Sequence, residues 1–194
     1  MDFYRINQSP DVDLITQCVL DREPEDTQHF RYKMATGEFA ADEYPPDAKW
    51  FMSDLWPGIR LPSIVNNTAS LLVVHADAKR VIESLGVPVE SYGFTLYDHK
   101  KRIASKDHFI VNPLGTFDCL NLQKSEIKYS KSHPDEIIRI KKYVLDPRKL
   151  ESAPPLFRIK ENPRAIVFSQ EAVNRLMREA NPTNAYFFKL DQEA

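Results

Sequence analysis

The residues of this sequence that could do acid–base, nucleophilic or metal chemistry are few and scattered. The two cysteines, Cys18 and Cys119, are far apart and form no CxxC pair, which excludes a disulfide framework and a structural zinc site. No two histidines have the HxH or HxxxH spacing of metal ligands. The histidines are His29, His75, His99, His108 and His133. We predict neither a metal site nor a cofactor.

One group of residues supports an enzymatic alternative. His99 and His108 flank the basic stretch HKKRIASK, and Asp107 stands beside the second histidine. Such a set could act as an acid–base or nuclease pair, although two solvated loop histidines are the favoured interpretation. Cys119 would need a histidine brought to it by the fold. The alternative function is therefore a small hydrolase or nucleic-acid-modifying enzyme that uses these residues.

Composition argues against several other classes of protein. The chain has 194 residues, 5 of them glycine, and lacks the GxGxxG, GxxxxGK[ST] and GxSxG motifs of nucleotide sites and esterases. A net charge of -2 does not favour nucleic acid as a partner. The first residues lack a secretory pattern, and no apolar run approaches the length of a membrane span. We therefore expect a cytoplasmic protein that contacts neither nucleic acid nor membrane.

Charge and aromatic residues single out the first third of the chain. Residues 1–60 hold 12 acidic and 6 basic residues, a net -6, whereas residues 98–160 carry a net +6. The acidic part includes a segment rich in tryptophan and proline, EYPPDAKWFMSDLWPGIRLP. Its aromatic side chains are either ordinary packing under a solvated rim or anchors for a basic partner. The candidate partner-binding residues are Asp42, Glu43, Tyr44, Asp47, Trp50, Asp54 and Trp56.

Hydrophobic periodicity predicts several strands and one short helix in addition to a repeat. A helix is expected over 48–55, because Ala48, Phe51, Met52 and Leu55 recur at helical spacing. The predicted strands are 3–6, 29–35, 108–112, 126–130, 136–146 and 155–160.

Two segments of the sequence are similar to each other. Residues 71–96 and 165–190 overlay without a gap at an offset of 94 positions, with identical residues at six of them. Each segment reads as an apolar strand, a helix with one apolar face, a proline break and a second strand. Ser169 is a favourable N-cap for the second helix, whereas His75 occupies the matching position less favourably.

These patterns predict an α+β fold, in which a mixed or antiparallel sheet carries a few packed helices and two similar strand–helix–strand units supply much of the core. The strict alternation of a doubly wound fold is absent. We divide the chain into an acidic N-terminal subdomain or extension, 1–60, and an α+β core, 61–194.

Residues 55–190 also resemble a known family. Asn112, Asp118, Cys119, Leu120 and Ser125 match one block of its pattern, VLDP (144–147) and LFRI (156–159) match two others, and the closing strand–helix–strand follows. Asn121 departs from the pattern, which favours an acidic residue there. The chain is similar to family eleven of the bacterial polymorphic-toxin immunity proteins.

The resemblance implies a function without a reactive centre. Such proteins protect a toxin-producing cell by binding a cognate toxin domain, often delivered by contact-dependent or type VI secretion, and no catalytic residues are carried over. The expected partner is therefore a toxin domain, and a nuclease is one of its expected activities. A third interpretation is a structural adaptor that uses a sheet edge for strand addition.

Overall fold

A computed structural model of the protein describes residues 1–7 and 15–194. Its core contains two sheets. In spatial order, the first sheet joins β13 (Leu156–Ile159), β14 (Asn162–Ser169), β1 (Phe3–Asn7) and β15 (Tyr186–Lys189), all antiparallel to their neighbours. The second sheet joins β2 (Val19–Leu20), β4 (Ile64–Asn67), β5 (Leu72–His75), β9 (His108–Pro113) and β6 (Val89–Gly93).

Shorter elements complete the fold. The helices are α1 (Arg31–Thr36), α2 (Ala76–Glu83) and α3 (Gln170–Glu179), with a 3₁₀ helix at Pro147–Ser152. A third sheet joins β3 (Lys49–Phe51), β7 (Thr95–Tyr97) and β8 (Ile103–Ser105). Two pairs of strands remain: β10 (Glu126–Tyr129) with β11 (Ile137–Lys142), and β12 (Val144–Leu145) with β16 (Asp191–Gln192). This mixed, sheet-rich arrangement confirms the predicted α+β class.

The two similar units of the sequence form two similar structures. In β5–α2–β6 the strands are parallel to each other and separated by β9; in β14–α3–β15 they are separated by β1. Each is thus a βαβ unit split by an antiparallel strand. Both helices begin with an extended cap: the Ser169 hydroxyl accepts from Ala172 N, and the His75 ring accepts from Asp77 N. His75 is therefore a working cap despite its unfavourable type.

Alternating side chains place a hydrophobic layer on each face of both sheets. In β5, Val74 faces α2 and α3 in the central layer, and Val73 faces the opposite layer. In β14, Phe168 faces the same central layer, and Val167 faces a third layer under β11 and β12. Two-residue periodicity in strands buried on both faces explains this sandwich of three apolar layers.

The first 60 residues share these layers with the rest of the chain. Phe3 lies in the third layer on β1, a central strand of the first sheet. Met34 and Trp50 lie in the first layer with Val73 and Ile110 of the second sheet. The division at residue 60 stays a prediction, and both sides of it contribute to the same cores.

Two of the predicted elements are wrong. Residues 29–35 were expected to form a strand, but α1 occupies most of the segment and ends at Gly37, which has the left-handed φ of 83° typical of a helix end. The helix expected over 48–55 is instead β3. There Trp50 and Met52 are buried while Lys49 is exposed, so the true period is two residues.

A buried arginine connects the elements around α1. Arg158 on β13 is 0% exposed, and its five N–H groups all find oxygen acceptors at 2.7 to 3.0 Å. The acceptors are the carbonyl oxygens of Met34, Ala35, Pro113 and Pro163 and the side-chain oxygen of Asn112. Burial lowers its pKa to about 10, which still leaves the guanidinium charged at neutral pH. In the described residues, no carboxylate forms an ion pair with it.

Replacing Arg158 with methionine should destabilise the protein by about 3 kcal/mol or more, because buried carbonyls lose their donors together. The stability of Arg158→Lys should lie between those of the wild type and Arg158→Met, since an ammonium has fewer donors than a guanidinium and no planar fork. Guanidinium unfolding followed by fluorescence measures both.

The matched control is Arg139→Met, on the exposed side of β11, which should change stability by about 0.5 kcal/mol or less. A loss of only that size in Arg158→Met would show that the buried network does not stabilise the fold.

Candidate functional site

The predicted partner-binding residues are distributed over a turn-rich segment, β3 and the turn that follows it. Asp42, Glu43, Asp47 and Asp54 are exposed, as an acidic contact surface requires. Glu43 forms an ion pair with Lys33. Asp54 lies 3.6 Å from the His99 ring nitrogen, on the loop that also carries Lys100, Lys101 and Arg102. Asp42 and Asp47 have no ion-pair partner in the described part of the chain, and they are the free negative charges of this surface.

Trp50 is placed differently from the other predicted contacts. It is only 1% exposed, packs edge-on against Phe94 at 5.2 Å and donates its indole N–H to Asp21 O at 3.1 Å. It is a core residue and cannot reach a partner in this structure. Trp56 is half-buried, so an aromatic anchor in this segment would have to be Trp56.

A groove lies beside the acidic segment. It has a volume of about 540 Å³ and runs between residues 41–48 and strand β6 with its continuation to Thr95. Tyr44 lines it and stacks on Tyr92 with ring centroids 4.6 Å apart. Burial raises the pKa of both phenols, so they remain neutral and apolar. Asp47 and Lys106 supply charged groups to the lining.

A second cleft lies between the two large sheets. It has a volume of about 310 Å³ and is lined by both arginine and aliphatic side chains, including Arg5, Arg164, Leu72 and Ile166. The Arg5 guanidinium stacks over the Tyr143 ring at 4.8 Å. The cleft is therefore cationic, whereas the groove beside residues 41–48 carries charges of both signs.

The residues of the enzymatic alternative do not assemble into one site. His99 lies at the turn after β7, beside Asp54. Cys119 is fully buried in the third apolar layer, and desolvation raises the pKa of its thiol to about 12. A thiol with that pKa is protonated at neutral pH, as is typical of a structural cysteine. Neither cleft is lined by His99, His108 or Cys119.

His108 is the most chemically constrained of these residues. It is 5% exposed, with Nδ1 at 2.8 Å from the Ser105 hydroxyl and Nε2 at 3.2 Å from Pro62 O. The Ser105 hydroxyl also accepts from Asp107 N, which closes the turn between β8 and β9. Burial lowers the pKa of His108, assisted by the neighbouring His75 ring. Both ring nitrogens are satisfied by the fold, which is a structural role.

Sequence reasoning missed the residues of β6, which form one side of the groove. Ser91 and Gly93 line it. No property of their types marks them, since the strand order of the sheet decides that β6 is an edge. Among the described residues, no group of three or more histidine, cysteine or carboxylate side chains is placed to bind a metal. Each helix described is too short or too polar to cross a membrane.

The structure thus combines a double-sheet core, a groove with an unpaired acidic rim, and reactive groups that are separated or buried. Comparison with known proteins identifies the family. Residues 57–192 match the model of the immunity protein family Imm11, and the chain belongs to that family. No curated protein matches the sequence. The match confirms the resemblance predicted over residues 55–190.

Acid should destabilise the protein partly through His108. Above about pH 6.5 the imidazole is neutral in both folded and unfolded chains and contributes nothing. As the pH falls below that value, the unfolded chain takes up a proton before the folded one does, so stability is lost until the lowered pKa is reached. The loss is at most about 1.4 kcal/mol per pH unit.

Unfolding free energies at about pH 7.5 and about pH 5.5 test this for the wild type and His108→Gln. The variant should lose less stability between the two pH values. His133→Gln, on an exposed side chain, should behave as the wild type. An equal loss in all three proteins would refute the assignment to His108.

Proposed function

We propose that this protein binds a cognate secreted toxin domain and neutralises it by occluding its active site. Membership of Imm11 supports toxin neutralisation in general, and a non-enzymatic inhibitor is consistent with the family. The observation that carries the proposal is the contrast between surface and interior. The unpaired charges and the groove are exposed, whereas Cys119 and His108 are buried in structural roles.

We further propose that the toxin is a polymorphic toxin delivered by a contact-dependent or type VI system and acts in the cytoplasm, where the immunity protein meets it. A nuclease is the toxin activity that best suits the acidic surface. A cleft that must hold phosphates is basic, and it would therefore attract the free carboxylates of Asp42 and Asp47.

The face around residues 41–56 is the proposed contact surface. Opposite charge speeds encounter between partners, and a half-buried aromatic residue such as Trp56 slows their separation. The contribution of the acidic residues is limited by nearby cations, because Lys33 pairs with Glu43 and Asp54 lies beside the loop that carries Lys100, Lys101 and Arg102. The rim is thus acidic mainly through Asp42 and Asp47.

The proposed function is tested with the C-terminal domain of the protein encoded directly upstream of this gene. The purified immunity protein should abolish the toxicity and activity of that domain at an equimolar ratio, because occlusion needs one inhibitor per active site. Titration of activity and size-exclusion chromatography of the mixture measure this. Turnover of the toxin or its product by substoichiometric protein would instead indicate an enzyme.

The charge of the rim is tested by reversing Asp42, Glu43 and Asp47 to lysine together. The association rate with the same toxin domain should fall by about tenfold or more at low salt, and the difference should shrink as salt is added. Surface plasmon resonance over a salt series gives both quantities.

The matched control reverses three other exposed carboxylates, Asp135, Glu136 and Glu151, on the β10–β11 turn and the 3₁₀ helix. The change in net charge is the same, but these residues lie outside the groove. Equal effects of the two triple variants would remove the local role of the rim.

A further inference from the structure

Strand β6 lies at an edge of its sheet, and the main-chain groups on its outer side have no neighbouring strand to bond to among the described residues. Leu114 N donates to Pro88 O, which fixes the alternation of the β6–β9 pair: Glu90 and Tyr92 bond to β9. The N–H and C=O groups of Val89, Ser91 and Gly93 therefore point away from β9. No described group forms a hydrogen bond with them.

Beyond Gly93, the continuation of this edge already pairs with another strand. Thr95 N donates to Ala48 O, and Tyr97 O accepts from Met52 N, so β3 lies on this side of the strand. The chain before β3 does not continue the pairing towards Gly93. Pro45 and Pro46 stand there, and neither has an N–H to donate to a ladder. The prolines turn residues 41–48 away and leave the groove between that segment and β6.

Of the other three edges of the two large sheets, two are covered by a neighbouring segment, and the third carries a charged side chain. Phe117 lies along β13, with its N–H on Arg158 O at 2.7 Å and its carbonyl accepting from Lys160 N. Ser53 N donates to Val19 O on β2. The edge strand β15 carries Lys189, paired with Asp2, and a charged side chain on an edge discourages strand pairing. Ser91 and Gly93 offer no comparable obstacle, and the Ser91 hydroxyl is held by Glu83.

We infer that the groove takes an extended segment of the toxin domain, which adds to the edge of β6 in line with β3 and carries a basic side chain towards Asp47. The main-chain groups of Val89, Ser91 and Gly93 would pair with about five residues of that segment. The inference rests on the proposed function, since it names the part of the toxin that this protein recognises.

A second copy of this chain is the less suitable occupant. In a twofold pairing of two β6 edges, each copy would have to accommodate the segment 41–48 that stands beside the edge of the other. A single strand or hairpin tip from another protein enters the groove without that conflict. The unpaired charge of Asp47 at the groove also favours a basic segment over an identical acidic surface.

Amide exchange by NMR tests the inference on the wild-type protein, with and without the C-terminal domain encoded directly upstream. In the free protein, the amides of Ser91 and Gly93 should exchange fast and those of Glu90 and Tyr92 slowly. In the complex, Ser91 and Gly93 should slow by at least about tenfold. If the Ser91 and Gly93 amides instead slow in the free protein as its concentration rises, a second copy occupies the edge, which would overturn the inference.

Ser91→Pro removes one outward N–H and adds a ring at the edge, a position where a fold tolerates proline. It should weaken toxin binding by at least about tenfold. Lys189→Pro, on the edge strand β15, should bind as the wild type does. Should Ser91→Pro fail to fold, the exchange measurement on the wild type decides.

The outcomes separate the two proposals. A toxin domain that is neutralised at an equimolar ratio, while the Ser91 and Gly93 amides stay fast, would overturn strand addition and leave the proposed function standing. A toxin domain that is neither bound nor neutralised would overturn the proposed function itself.

Discussion

The structure depends on how one buried guanidinium is solvated by protein. The Arg158 side chain is fully shielded from solvent, and four main-chain oxygens and one side-chain oxygen accept its hydrogen bonds in place of water. A buried charge without such acceptors would cost several kcal/mol, so the acceptors and the elements that carry them must assemble together. Two of them, Met34 O and Ala35 O, lie at the carboxyl end of α1, where the helix dipole favours a cation. The first and last thirds of the chain are joined in this way.

The layered core restricts where this protein can interact with others. The central strands of both large sheets are covered on both faces, because they carry apolar side chains in both directions. A partner therefore has access to loops, helix surfaces and sheet edges rather than to the faces of these strands. An edge that is left uncovered is informative for the proposed binding function, since natural sheets protect most of their edges.

The sequence was sufficient where the signal was local and repeated. The offset of 94 positions identified both split units, since strand and helix periodicities recur in the same order in 71–96 and 165–190. Prediction from the sequence failed for α1 and β3, because the apolar residues of these short elements fit a helical and a strand period equally well. It also mistook Trp50 for a possible surface residue, because burial is set by residues distant in sequence, such as Phe94. Neither the edge position of β6 nor the acceptors of Arg158 can be predicted locally.

Rigidity and recognition are connected through a short series of contacts. Asn112 accepts from Arg158 at 3.0 Å and donates to Glu38 O at 2.9 Å, which fixes the chain just after Gly37. Added bulk at Gly37 would meet the Arg158 side chain at 2.7 Å, so the turn there is closely fitted to the arginine. Two and three residues beyond Glu38, the Ala40 and Ala41 amides donate to the Glu90 carboxylate on β6. One wall of the groove is thereby held against the other by the same network that fills the core. A groove whose walls are fixed before binding loses little conformational entropy when a strand enters, and this preorganisation favours tight inhibition without a reactive residue.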